Sequence, residues 1–236
     1  MVHVKICGIR HAEDARAAVE AGASLLGFNF WSGTPRYIAP AEAARIIAGL
    51  REELREASPA AVPRDIRTVG VFVDEDVERL LAIAAEAGVG AVQLHGSESP
   101  QYLERLGRLP KIKAIKVSND FQPEQLLRYH AASAFLLDGF VAGMHGGTGK
   151  SFDWSLAEKT TSYGKIILAG GLNPDNVGMA VRQVRPWGVD VCSGVEITPG
   201  KKDPQRIREF IQAVRAAEAE IPASSPAHNS TLDLLF

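Results

Sequence analysis

The sequence predicts an α/β protein, a single (β/α)8 TIM barrel with parallel strands. Three observations carry that expectation. Short β-branched runs alternate with Ala/Glu/Arg-rich stretches along all 236 residues, as βαβ units do. Eight such units recur at a spacing near that of a barrel repeat. Paired glycine segments then follow the last two strand candidates, where barrels commonly hold a phosphate. An open doubly wound sheet is the structural alternative.

In chain order, strands are expected over residues 3–7, 24–30, 68–73, 91–95, 112–117, 134–138, 165–169 and 188–192. Helices are expected over 12–21, 40–55, 75–87, 100–106, 123–129, 154–160, 176–184 and 204–217. Side chains alternate faces along a strand, so parity separates lumen residues from helix-facing ones. In the first strand Val4 and Ile6 suit the helix layer, which turns Lys5 and Cys7 inward. In the fourth, Val92 and Leu94 face out while Gln93 and His95 face in. In the sixth, Phe135 and Leu137 face out and Asp138 closes the inner edge. In the eighth, Val189 and Val191 face out, leaving Asp190 and Cys192 inside. Cys7, His95, Asp138 and Cys192 all close their strands, at the end where barrels build their sites.

Composition narrows the class. The chain is 46% hydrophobic and 23% charged, with a net charge of -2. It therefore carries no basic footprint for nucleic acid or an anionic membrane. Two cysteines imply no disulfide framework. The N-terminus enters a strand-like run at once, without a signal-peptide stretch, and no apolar run is long enough to span a bilayer. The expectation is a soluble chain in a reducing, cytoplasmic setting. Residues 1–220 read as one catalytic barrel domain and 221–236 as a flexible C-terminal tail. The stretch 56–65, with Ser58, Pro59 and Pro63, reads as a loop on the side away from the strand C-termini.

Glycine lets a backbone approach an anion closely, so that N–H groups point at phosphate oxygens. Gly170-Gly171 and Ser193-Gly194 are the candidate phosphate loops, and Ser193-Gly-Val-Glu suits a short helix start. A third glycine run, Gly146-Gly-Thr-Gly149, follows the sixth strand.

Nine blocks then occur in register. They begin with Lys5-Ile-Cys-Gly-Ile9, Gly27-Phe-Asn-Phe with Thr34-Pro-Arg-Tyr37, and Val69-Gly-Val-Phe-Val73. Val92-Gln-Leu-His-Gly96, Lys113-Ala-Ile-Lys-Val117, Leu136-Leu-Asp138 and Gly146-Gly-Thr-Gly-Lys150 leading to Phe152-Asp-Trp154 follow. Ile167-Leu-Ala-Gly-Gly-Leu-Asn-Pro174 and Val189-Asp-Val-Cys-Ser-Gly-Val-Glu196 complete the series. Over roughly residues 3–215 the chain closely resembles the phosphoribosylanthranilate isomerases, barrel enzymes of tryptophan biosynthesis. The resemblance implies an Amadori rearrangement of N-(5′-phosphoribosyl)anthranilate to 1-(o-carboxyphenylamino)-1-deoxyribulose 5-phosphate, with no metal or organic cofactor. It implies Cys7 as general base, Asp138 as general acid and Arg36 as the anthranilate-carboxylate contact. It further implies Gly170, Gly171, Ser193 and Gly194 as phosphate binders. His95 is a further substrate-binding candidate. The implied partner is a small-molecule phosphosugar, with no nucleic acid and no membrane, and the chain acts as a monomer or homodimer.

The chemistry asks for these groups. Opening the furanose needs a proton on the ring oxygen as the C–O bond breaks and the anilinic nitrogen forms a Schiff base. A base must then take the C2′ proton. Asp138 as acid has to hold its proton, which lumen desolvation and the substrate's own carboxylate would favour. Cys7 as base needs thiolate character, and Lys5 with the backbone amides of the mouth could supply it.

Blander readings stand beside these. Cys7 by itself reads as a buried structural thiol, and His95 could merely shape the mouth. Asp190 reads as a structural partner for Lys5 or another lumen cation. Cys192 is a small inward filler, and a Cys7–Cys192 disulfide would abolish the base in a compartment that disfavours it. Cys7, His95 and Cys192 lack the close spacing of a zinc site. Gly139, His11 and Cys192 depart from the family's usual residues, Cys192 standing where serine is common. Indole-glycerol-phosphate synthase and ribulose-phosphate epimerase are the rival phosphosugar barrels. Neither suits Lys5-Ile-Cys-Gly with Leu136-Leu-Asp. A barrel that binds phosphate without catalysis is the rival from another class, and an intact Cys7/Asp138 pair argues against it.

Overall fold

Alternation of side chains along each strand produces two separate apolar layers, and these set the architecture. The computed structural model describes residues 1–56, 66–118, 120–139 and 154–221. Eight parallel strands close a barrel in chain order: β1 (His3–Cys7), β2 (Leu25–Asn29), β3 (Arg67–Phe72), β4 (Ala91–Leu94), β5 (Lys111–Lys116), β6 (Ala134–Asp138), β7 (Ile166–Ala169) and β8 (Gly188–Val191). Around it lie α1 (Ala12–Ala21), α2 (Pro40–Glu56), α3 (Val77–Ala87), α4 (Pro100–Arg105), α5 (Trp154–Glu158), α6 (Val177–Val184) and α7 (Pro204–Ala219). The open-sheet alternative is thereby excluded.

The outer layer joins Val4, Ile6, Leu94, Leu137, Val189 and Val191 to helix residues such as Ala15, Ile47, Leu80 and Phe210. The inner layer is a separate cluster that includes Leu25, Val69, Ala91, Ile112, Leu136 and Ile167. Parity is thus as expected on every strand for which it was read. Asp76 and Asp203 start α3 and α7 by accepting backbone N–H bonds from the first turn, the role expected of N-cap side chains.

Some elements differ from expectation. Residues Pro123–Tyr129 form a 3-10 helix, a geometry common in short connectors that bury little. The helix expected over 154–160 stops at Glu158, and a 3-10 turn, Thr161–Tyr163, follows. There the hydroxyls of Thr160 and Thr161 bond back to the carbonyls of Ala157 and Glu158 and compete with the helical ladder. A small antiparallel pair, β9 (Glu196–Thr198) with β10 (Lys201–Lys202), follows β8 and was not foreseen. The 56–65 loop beyond Glu56 and Ile66, the Gly146–Gly149 run and the tail beyond Ile221 lie outside the described residues.

Buried ion pairs brace the mouth. Lys5 and Asp190 face each other in the β1–β8 register and meet at 2.8 Å. Lys113 on β5 meets Glu98 at 2.6 Å, and it also donates to the Gly96 carbonyl. Glu98 in turn accepts the N–H groups of Asp74 and Gly96, tying the loop after β3 to the loop after β4. Both carboxylate oxygens and the ammonium therefore have several partners, the condition under which a buried pair is tolerated.

Removing the carboxylate would strand the Lys113 ammonium. Glu98→Ala is expected to cost about 3–5 kcal/mol, read as a lower urea midpoint at unchanged slope. A loss under about 1 kcal/mol, the scale of an exposed pair, would refute the bracing role.

Candidate active site at the barrel mouth

The strand C-termini surround a cavity of about 480 Å³. Cys7, Arg36, His95, Asp138, Gly170, Gly171 and Ser193 all line it. Gly194 is the one candidate that stands behind the wall. A larger cleft, about 660 Å³, opens at the opposite end of the barrel between Met1, Arg182 and Pro186, and it contains none of these groups.

Cys7 ends β1 beside the Lys5–Asp190 pair. Its sulfur has room because β2 presents Gly27 opposite; a Cβ there would come within 2.8 Å of Sγ. A hydrogen bond from the Cys192 thiol holds the Cys7 thiol well below its ordinary range. The charges of Lys5 and Lys202 add to that against the opposing effect of burial. The same bond, with burial, pushes Cys192 up and keeps it protonated. Burial alone would lower Lys5, but Asp190 and Cys7 outweigh it and hold the ammonium charged. Burial pushes Asp190 up to about 6, with Lys5 opposing. The expected Lys5–Asp190 pairing is present, and its cation lies where a thiolate needs one.

Asp138 ends β6 across the cavity. Its Oδ2 lies 3.3 Å from His95 Nε2, and His95 Nδ1 lies 2.8 Å from Gln93 Nε2. With the amide donating to Nδ1, the ring proton sits on Nε2 and points to Asp138. Oδ1 of Asp138 remains for a ligand. The expectation of a desolvated Asp138 is corrected: 28% of its side chain is exposed, and 35% of that of His95. A carboxyl at the rim keeps its water until a ligand covers it.

Arg36 reaches the cavity from the loop after β2, but its guanidinium is already engaged. Nε donates to Glu196 Oε1 at 2.9 Å, and Nη2 donates to Oε2 at 2.6 Å. Glu196 also holds the buried Lys202 ammonium at 2.9 Å, while Lys202 donates to the Cys192 carbonyl. Burial would raise the Glu196 carboxyl, but Arg36 and Lys202 keep it below its usual value. The cluster leaves Nη1 without a described partner and orients Arg36 instead of leaving it to solvent. Glu196 and Lys202 are the residues contacting the candidate site that sequence reading missed. Glu196 was visible only as the last letter of the Ser193-Gly-Val-Glu block, and Lys202 had no local pattern at all.

Gly170 and Gly171 both take positive φ, 87° and 67°, which turns their amides in a way that L side chains resist. Gly194 serves a different end. A Cβ there would fall 2.0 Å from the Leu172 carbonyl oxygen, so this glycine lets the loops after β7 and β8 touch. Ser193 opens the 3-10 turn Ser193–Val195, as the short helix start predicted.

Fold and site together define a (β/α)8-barrel enzyme whose candidate reactive groups hang from the strand C-termini. Residues 4–213 match the family model described as N-(5'phosphoribosyl)anthranilate (PRA) isomerase. The N-(5'-phosphoribosyl)anthranilate isomerase of Pelobacter propionicus is 44% identical, over 93% of this chain and 99% of the relative. The crystal structure of phosphoribosyl anthranilate isomerase from Thermotoga maritima superposes with a TM-score of 0.78 at 42% identity, covering 92% of this chain and all of that one. Another solved isomerase, holding reduced 1-(o-carboxyphenylamino)-1-deoxyribulose 5-phosphate, gives 0.76 at 40% identity over the same 92% of this chain and 100% of its own. The chain belongs to the N-(5'-phosphoribosyl)anthranilate isomerase family and is an isomerase. No helix among the described residues is long and apolar enough to cross a membrane.

A lowered thiol pKa extends the anionic form downward in pH, so Cys7 is expected to stay thiolate well below the ordinary thiol range and to lose that charge only on acidification. The thiolate ultraviolet absorbance of the wild-type chain minus that of Cys7→Ala measures this. A titration step centred near the ordinary thiol value of about 8.5 would contradict it.

Proposed function

We propose that the chain converts N-(5′-phosphoribosyl)anthranilate to 1-(o-carboxyphenylamino)-1-deoxyribulose 5-phosphate in tryptophan biosynthesis. The reaction is an Amadori rearrangement run by general acid–base catalysis without a metal or organic cofactor. One observation carries the reading: a thiol and a carboxyl end their strands on opposite sides of one cavity, beneath glycine loops suited to a phosphate.

In this reading the substrate phosphate sits against the amides of Gly170, Gly171 and Ser193, with Gly194 bringing the two loops together. Arg36, held by Glu196, meets the anthranilate carboxylate through Nη1, which gives geometric selection as well as charge. Asp138, oriented by His95, gives its proton to the ring oxygen as the C–O bond breaks and the Schiff base forms. Cys7 then removes the C2′ proton, and the enolamine relaxes to the ketone. A base that is already anionic and an acid that ligand binding desolvates are the opposed pair such chemistry needs. The site is proposed to work in the cytoplasm, in a monomer or homodimer; a Thermotoga maritima relative is dimeric by name.

Purified protein mixed with freshly made phosphoribosylanthranilate and a chelator should accelerate the loss of substrate fluorescence. No acceleration over spontaneous decay would end the isomerase reading, and a need for added metal would end the cofactor-free one. Cys7→Ala and Asp138→Asn should each fold and lower turnover by about 10²–10⁴-fold or more. Near-wild-type turnover in either would remove that residue from its role.

A further inference from the structure

The mouth of the barrel holds two sulfurs, and isomerisation uses only one. β1 and β8 run in parallel with Ile6 opposite Val191, so the next residue on each chain, Cys7 and Cys192, emerges beside the other. Both line the cavity, and both are free thiols. A Cβ built at Gly8 would lie 3.1 Å from Cys192 Sγ, which puts that sulfur against the turn that leaves Cys7. Cys192 is also the largest influence holding the Cys7 thiol below its ordinary range. Neighbouring strands lie about 4.8 Å apart, so the ends of β1 and β8 at Ile6 and Val191 are spaced within the roughly 4.4–6.8 Å between Cα atoms that a disulfide spans.

We propose that Cys7 and Cys192 form a hydroperoxide-reactive pair, in which Cys7 is oxidised first and Cys192 then closes a reversible disulfide between β1 and β8. The surroundings fit both steps. Reactive thiols sit in electropositive, partly accessible places; here Lys5 lies beneath Cys7, and Lys202 Nζ is 3.7 Å from Cys192 Sγ. A hydroperoxide the size of hydrogen peroxide enters a cavity built for a sugar without rearrangement.

The Cys7 thiolate attacks one peroxide oxygen. An S–O bond forms, the O–O bond breaks, and the departing alkoxide or hydroxide takes a proton to become alcohol or water. Cys7 is now a sulfenic acid. The bond that kept Cys192 protonated disappears with the Cys7 anion, and the Lys202 ammonium favours the thiolate at Cys192. Its sulfur attacks the sulfenyl sulfur, the S–S bond forms, and the S–O bond breaks. The displaced hydroxide leaves as water with the proton that Cys192 gave up. Two thiols lose two electrons, and the hydroperoxide is reduced by the same two. In a reducing compartment such a bridge is transient, as redox-responsive disulfides are. The bridge needs only the two sulfurs. Its effect on turnover rests on the proposed role of Cys7 as base.

The full-length reduced chain is treated with near-stoichiometric hydrogen peroxide, alkylated and mapped by mass spectrometry, with isomerase activity measured on the same samples. The wild-type chain should lose both alkylatable thiols and two hydrogen masses, yield a linked Cys7–Cys192 peptide, and regain both thiols and its activity with dithiothreitol. Cys192→Ser should stop at a Cys7 sulfenic acid that dimedone traps. Folded wild-type protein with both thiols still alkylatable, or with oxidised Cys7 and no linked peptide, would overturn the pair. A bridge that forms while turnover persists supports the pair and removes Cys7 from the base role. Turnover lost without a bridge does the reverse.

Discussion

Where β8 meets β1, Lys5 stands opposite Asp190 in register and the two side chains join at 2.8 Å inside the barrel. The same registration, which runs to Ile6 opposite Val191, brings the ends of β1 and β8 that carry Cys7 and Cys192 together. An ammonium in a packed lumen is tolerated only with a partner, and the partner here comes from the far end of the sequence. Barrel closure therefore supplies the electrostatics of the site as well as its shape. A slip of one residue along β8 would turn Val189 and Val191 inward, and Lys5 would lose its counter-ion.

A second set of charges builds on that frame. Arg36, Glu196 and Lys202 come from the loop after β2 and from the β9–β10 excursion after β8, and Glu196 holds both cations. Lys202 also touches the carbonyl and the sulfur of Cys192. Lys5, Arg36 and Lys202 thus face Asp190, Glu196 and the Cys7 thiolate in one connected patch. Anions and cations are interleaved there, so the Cys7 thiol is held below its ordinary range without leaving the mouth broadly basic. The proposed phosphate site lies apart from this patch, in the loops after β7 and β8, where Gly194 lets one loop lie on the other.

Cys192 gives the site a chemistry that serine at that position would not. A hydroxyl there could still donate to Cys7, but it could not close a covalent bridge to it. In the proposed chemistry, the residue that most lowers the Cys7 thiol is also the nucleophile that would meet it once oxidised. Both properties follow from two strand ends lying side by side.

Much of this was legible in the chain. Lys5 and Cys7, Gln93 and His95, and Asp190 and Cys192 were assigned inward from the apolar residues that alternate with them. Alternation is local, and a strand obeys it wherever it packs. The glycine doublet at Gly170 and Gly171 was readable because positive φ leaves few other residues able to serve. Glu196 and Lys202 were not readable as site residues, since their worth lies in contacts with Arg36 and Cys192 on other segments. The exposure of Asp138 was likewise out of reach, because strand position gives the face of a side chain and not the depth of water above it. Periodicity and turn chemistry are properties of neighbours in sequence, and so the sequence by itself determined the eight βα units, their inward faces and the family. Charge pairing, sulfur contact and solvent access depend on residues that only barrel closure brings together, and the tertiary structure alone decided them.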